Sequence, residues 1–231
     1  MDGRSTRTVR PERMDDPALD EAEHRAALAG LARIHRVSGT AGLLSRALGD
    51  LLGRLSVPGP ARVLDVACGG GDLTLALRER AGRGLAIDGC DKSETALARA
   101  RDAAARRGLE VRFFPHDVLE GPLPDGYHAI VCSLFLHHLE DDVVVDLLSR
   151  MARADAVLVH DLVRGAPGRL LARFVPPLLT RSGVVHDDAV LSVDNAFTVD
   201  EIRALAARAG LRDARVTRRW PFRFLLAWSR S

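Results

Sequence analysis

Val63-Leu64-Asp65-Val66-Ala67-Cys68-Gly69-Gly70-Gly71-Asp72 decides the fold of this 231-residue chain. A short apolar run ends in an acid, passes through three consecutive glycines and opens a helical pattern. That order reads as strand, tight turn and helix start. Glycines have no Cβ, so a ligand can approach the backbone of the turn closely. The first N–H groups of the helix behind it lack intrahelical partners. A small ligand with a polar, negatively charged end is the first expectation. A plain βα junction closed by glycines is the alternative.

Spacing narrows the ligand. The dinucleotide fingerprint is G-x-G-x-x-G after a strand. Here Gly69-x-Gly71 is followed by Thr74 in the third slot, and a match begun at Ala67 puts Asp72 there. A carboxylate so close to a pyrophosphate is repulsive, which disfavours a phosphate ligand. The chain downstream repeats the strand-then-acid pattern. Leu85-Ala86-Ile87-Asp88-Gly89-Cys90-Asp91 reads as a second strand, with Asp91 about where a ribose-binding acid follows such a turn. A third strand spans 109–114 and is closed by Pro115-His116-Asp117-Val118. A fourth, 127–133, runs into Leu134-Phe135-Leu136-His137-His138-Leu139.

In this order the motifs resemble the class I S-adenosylmethionine (SAM) methyltransferases. Asp65, Ala67, Gly69 and Gly71 fill the slots of their D-x-G-x-G-x-G motif, with Ala67 in place of the first glycine. The L-H-H-L segment resembles that of ubiquinone-type and small-molecule methyltransferases. The resemblance covers roughly residues 61–161. It implies SAM as cofactor and S-adenosylhomocysteine as product. The cofactor would be held by Asp65, Ala67, Cys68, Gly69, Gly71, Thr74, Asp91, Lys92, Asp117, Val118 and Ser133, with Asp91 at the ribose and Asp117 at the adenine amino group. Acids around the turn suit a sulfonium and an ammonium better than a pyrophosphate. Further stretches, Met14–Leu19, Leu31–Arg36, Val185–Asp188 and Ala196–Thr198, resemble bacterial methyltransferases of polyketide and phenolic-lipid pathways. They imply O-methylation of a phenol or enol. A ubiquinone- or menaquinone-type C-methyltransferase and a non-catalytic SAM-binding subunit stay open. A nicotinamide dehydrogenase is opposed by the missing third glycine and by the end of the chain.

That end reads as two strands, 214–220 and 222–228, joined at Pro221. An antiparallel hairpin closing a mostly parallel sheet is a hallmark of the methyltransferase fold. The expected architecture is α/β, a Rossmann-like doubly wound sheet with helices on both faces. Helices are expected over 72–81, 93–107 and 141–153, and a fifth parallel strand over 156–161. Thr198-Val199-Asp200-Glu201 has the form of a capping box opening a helix that runs to Gly210.

The divisions follow. Residues 1–60 form a helical extension or lid, and 61–231 the SAM-binding domain with an insertion near 165–197. Residues 1–15 are polar and expected to lack fixed structure. Pro17 opens a helical pattern to about Val37, and a second helix carries Leu44, Leu48, Leu51, Leu52 and Leu55. Pro176-Pro177 interrupts an apolar helical pattern, and 181–196 shows no clear period.

Composition excludes some classes. The net charge is +2, Lys92 is the only lysine, and 47% of residues are hydrophobic. Arg106-Arg107 and Arg218-Arg219 are short pairs at element ends, without the basic cluster of a nucleic-acid binder. No apolar run approaches the ~20 residues of a membrane span, and the N-terminus lacks an apolar signal core, so a cytoplasmic protein is expected. Monomer and homodimer are both open. Cys68, Cys90 and Cys132 lack metal-ligand spacing and are expected at the crevice as small apolar residues. No metal ligands are expected.

Methyl transfer is an in-line displacement for which the cofactor supplies the reactive group. The protein aligns the acceptor and excludes water, and an oxygen acceptor also needs a base. His138 after strand four, His160 beside Asp161 after strand five, and His186 in the insertion are the candidates. His137 could be structural, and His24, His35 and His128 read as surface or packing residues.

Overall fold

The computed structural model describes residues 7–16, 18–55, 57 and 59–230. Pro17, where the first helix was expected to open, lies outside them. Asp20 caps that helix instead, accepting from the N–H groups of Ala22 and Glu23. Helix α1 is Glu21–Val37, and α2, Thr40–Leu52, follows after Gly39 in the left-handed region.

Seven strands form one sheet. β1 is Ala61–Val66, β2 Leu85–Asp91, β3 Phe113–Pro115, β4 Ala129–Ser133, β5 Ala156–Leu162, β6 Arg215–Arg219 and β7 Arg223–Ser229. Their order is β3-β2-β1-β4-β5-β7-β6. β1 to β5 pair in parallel, whereas β7 is antiparallel to both β5 and β6. β7 thus lies inside the sheet, and β6 forms the edge. The third strand is shorter and later than expected, because residues 109–112 only lead into it.

Period-two alternation splits the core. On one face, α2 and α3 (Asp72–Ala81) set Leu44, Leu48 and Leu77 against Val63, Ile87, Val131 and Leu158. α4 (Glu94–Arg107) extends this layer over Phe113. On the other face, α5 (Asp141–Met151) packs Leu147, Leu148 and Met151 with Leu64, Val66, Ile130 and Val157. Every residue of β5 is buried, as expected of a central strand covered on both faces.

The segment after β5 folds into α6 (Ala166–Phe174), α7 (Pro176–Leu179) and α8 (Gly183–Asn195). The last corrects the sequence reading, which found no period in 181–196. α8 touches neighbours on several sides, so its apolar residues make no single stripe: Val184 and Val185 meet Ala27, while Val193 meets Leu162. α9 (Val199–Arg208) opens with the expected capping box of Thr198 and Glu201.

Residues 7–15 also depart from expectation, since they form a strap across α8. Arg7 stacks over Phe197 at 3.7 Å and donates to the carbonyls of Asn195 and Leu139. Asn195 exchanges side-chain hydrogen bonds with the Arg10 backbone, and Asp188 accepts from the N–H groups of Arg13 and Met14. The strap is polar in sequence because its stability comes from these long-range bonds rather than from apolar burial.

Candidate active site

β1 pairs with β2 on one side and β4 on the other, so strand order reverses beside it. Open α/β sheets bind ligands at the carboxyl ends of strands at such a point. The glycine turn lies there. Gly69 and Gly71 have φ of +53° and +72°. A Cβ on Gly71 would come within 2.8 Å of the Ala100 Cβ and the Phe113 ring. The Gly69 N–H donates to Asp91 Oδ2 at 2.8 Å, and the Ser93 N–H donates to Oδ1 at 2.9 Å. Asp91 therefore ties the ends of β1 and β2 together.

Asp65 is buried at the end of β1 and accepts from the Thr74 hydroxyl at 2.6 Å. Burial pushes its carboxyl up to about 7; the charge of Asp91 adds to the shift and the Thr74 bond opposes it. A cation brought beside it would offset that cost.

A cavity of about 450 Å³ opens beyond the turn. Asp65, Ala67, Cys68 and Gly69 form one end of it, with Ser133 at the end of β4 and Leu134 after it. The remaining wall is largely apolar, with Leu28, Leu31 and Ile34 of α1, Leu171 of α6, Leu179 of α7, and Val185 and Val193 of α8; Asp72, Arg99, Asp188 and Arg223 are its charged members. The strap contributes Glu12 and Met14. Three non-glycine residues among those described have positive φ, Ala67, Leu134 and Phe222, and all three line this cavity. Backbone strain of this kind concentrates at functional sites.

Of the expected residues, Asp65, Ala67, Cys68, Gly69, Ser133 and His138 line the cavity. Gly71, Thr74 and Val118 do not line it, and Thr74 and Val118 are buried. Lys92 is exposed, and Asp117 accepts from the Leu119 N–H. His160 is buried, within 3.3 Å of the Ser133 hydroxyl, and is not part of the wall. His186 is also away from the wall, its Nε2 donating to the Thr180 carbonyl at 2.8 Å. Of the three cysteines only Cys68 reaches the cavity, and burial holds all three thiols above their ordinary value. His128 is a packing residue, as expected, accepting at Nδ1 from the Arg62 N–H.

The structure adds a cluster at the floor of the cavity. His137 Nδ1 bonds Asp161 Oδ1 at 2.7 Å, and the His137 N–H donates to Oδ2. His137 Nε2 lies 3.6 Å from Glu12 Oε1, and His138 Nε2 lies 4.0 Å from Oε2. The Ser192 hydroxyl donates to Glu12 at 2.6 Å. Burial by itself lowers the His137 imidazole, but the charges and hydrogen bonds of Asp161 and Glu12 outweigh it and raise the group to about 10. Asp161 is lowered by the same pairing despite its burial. Arg223 completes the set from the start of β7, its guanidinium lowered to about 10 by burial against the opposing charge of Asp161. Sequence reading missed Glu12 and Arg223. Glu12 sits in a polar stretch with no period, and Arg223 is a lone arginine between Phe222 and Phe224 at the start of a strand.

Residues 63–155 match a family model described as "Methyltransferase domain". The demethylmenaquinone methyltransferase of Thermus thermophilus is 52% identical over 76 residues, which is 33% of this chain and 34% of that protein. The structure of the mitomycin 7-O-methyltransferase MmcR superposes with a TM-score of 0.57 at 26% identity, covering 74% of this chain and 49% of that one. The plantazolicin methyltransferase BpumL, solved with S-adenosylhomocysteine, gives 0.67 over 94% of this chain and 92% of that one, at 14% identity, a likeness of fold alone. The chain spans about a third to three fifths of the length of the curated relatives it matches.

Sheet order and glycine turn agree with the match of residues 63–155 to a methyltransferase domain, and the fold is that of class I SAM-dependent methyltransferases. The chain is similar in sequence to quinone methyltransferases and in structure to a small-molecule O-methyltransferase. The cofactor is SAM, and the residues present fit it. The acids Asp65 and Asp91 flank the turn, and the buried Nε2 of His116, next to Asp117, has no hydrogen-bond partner among the described residues.

Proposed function

We propose that this chain transfers the SAM methyl group to a phenolic or enolic hydroxyl of a small apolar acceptor in secondary metabolism. The observation that carries this reading is a largely apolar cavity whose floor holds the imidazoles of His137 and His138 on either side of Glu12, with His137 committed at Nδ1 to the buried Asp161. Of the three histidines expected as bases, His138 is the one on the cavity wall. It takes the acceptor's proton. Glu12 faces it and favours the imidazolium formed. His137, fixed at Nδ1 by Asp161, holds Glu12 in place from the other side. SAM supplies the electrophilic methyl; Asp65 and Asp91 favour its positive charges, with Ala67, Cys68, Gly69 and Ser133 around it and Gly71, Thr74, Lys92, Asp117 and Val118 as supporting contacts. The helices of 1–60 and the insertion near 165–197 act as a lid that selects the acceptor, over a SAM-binding domain of 61–231. A cytoplasmic location and the absence of a nucleic-acid partner belong to the same reading.

A second reading, methylation at carbon on a quinol, is supported by the identity to the demethylmenaquinone enzyme. A panel of phenols, enols and quinols with labelled methyl donor separates the two. On a hydroxyl acceptor, His138→Ala is expected to lower kcat by about 10²–10⁴-fold, with S-adenosylhomocysteine affinity nearly unchanged in calorimetry. Full turnover in that variant would remove His138 as the base.

A further inference from the structure

Seven large apolar side chains are conspicuously exposed among the described residues; two of them line one cavity and three more sit on the helices whose other residues line it. These five are Leu170, Phe174 and Leu178, exposed by 61%, 60% and 82%, and Trp220 and Phe222, exposed by 86% and 37%. Leu170, Phe174 and Leu178 follow one another at helical spacing along α6 and α7, while the alternate residues Leu171, Val175 and Leu179 turn into the cavity. Trp220 and Phe222 come from the β6–β7 connection and belong to the cavity wall themselves. The two segments touch: a Cβ on Gly168 would lie 3.3 Å from Phe222.

A contiguous apolar patch of this kind marks an interaction surface. Its surroundings say which. Arg173 lies between Leu170 and Phe174 in sequence, Arg181 follows α7, and Arg218 and Arg219 precede Trp220. All four are exposed and have no acidic partner among the described residues. Apolar side chains rimmed by unpaired arginines are the composition of a surface that lies in the headgroup region of an anionic bilayer. The net charge of +2 is too small to draw the chain there as a whole, so the attraction is local.

We propose that α6, α7 and the β6–β7 connection form a membrane-docking face for anionic lipid, seating Leu170, Phe174, Leu178 and Trp220 in the interface. The cavity then opens onto the bilayer rather than onto water, and an acceptor with an alkyl tail enters it without crossing solvent. That last clause rests on the methyl-transfer reading; the docking does not.

The test is co-sedimentation of the full chain with vesicles of phosphatidylcholine alone or with phosphatidylglycerol, read together with tryptophan emission. Trp220 is one of two tryptophans, so its transfer from water is visible as a blue shift. The proposal expects binding to the anionic vesicles with that shift, and at least about tenfold weaker binding in 0.5 M salt. Phe174→Asp and Leu178→Asp, both at exposed positions off the cavity wall, are expected to abolish it while S-adenosylhomocysteine still binds. No binding at low salt overturns the proposal, as does binding that both variants retain. A lipid-free dimer in sedimentation velocity, dissociated by the same variants, would assign the face to a second copy and overturn it equally. A chain that docks but transfers no methyl group would leave the docking standing and remove the proposed activity.

Discussion

Asp65 shows how one residue couples the turn to its ligand. Its folded value lies near 7, against an ordinary carboxyl at 3.8. The folded chain therefore keeps a proton that the unfolded chain has lost. The contribution of Asp65 to stability is greatest below 3.8, falls as pH rises to about 7, and stays at the lower level above it. The shift corresponds to a loss on the order of 4 kcal/mol. Denaturant melts of wild type and Asp65→Asn at pH 5 and pH 8 check this: the asparagine variant is expected to lack this part of the slope. Cationic SAM favours the carboxylate, so its binding near pH 6.5 is expected to release a proton, measurable by calorimetry in two buffers. Asp65, Gly69 and Asp91 were legible in the sequence because acid and glycine at fixed spacing after a strand are local signals. Glu12 was not, since nothing near it in the chain betrays that His137 and Ser192 meet it.

At the scale of elements, hydrophobic period gave β1, β2, β4, β5 and helices α3, α4, α5 and α9 nearly to the residue. It failed at β3 and α8. β3 makes only three paired residues at its end of the parallel ladder, too few to set a pattern. α8 is contacted on several faces, so burial is spread around it. The βα turn itself allows a paired prediction. Ala67 sits at φ +51° where the resembled motif has glycine. An L-residue there costs roughly 1–2 kcal/mol, so Ala67→Gly is expected to stabilise the chain by up to about 1 kcal/mol after the entropy of glycine is set against it. Gly71→Ala meets both the positive φ and the 2.8 Å contacts with Ala100 and Phe113. It is expected to destabilise by about 2–4 kcal/mol. Urea midpoints of the two variants would be expected to move in opposite directions.

Across the whole molecule, the end of the cavity at the glycine turn, proposed for SAM, is built from residues 65–133, and the other end, proposed for the acceptor, from parts far apart in the chain: strap, α1, insertion and β7. The two ends should separate on truncation. A chain beginning at Asp15 loses Glu12 and Met14 from the wall, together with the Arg7 and Arg10 bonds that hold the strap to Asn195. It is expected to bind S-adenosylhomocysteine within a few-fold of the full chain, while kcat/KM for the acceptor falls by about 10²-fold or more. Equal losses in both measurements would show that the strap supports the fold as a whole. By itself the sequence determined the class: alternating strands and helices, the acid–glycine turn and the terminal hairpin are set by short-range periodicity and spacing. Only the tertiary structure decided which of the three candidate bases reaches the cavity, that Glu12 joins it, and that five apolar side chains lie exposed on α6, α7 and the β6–β7 connection. Those facts depend on contacts between residues distant in the chain, and local spacing carries no record of them.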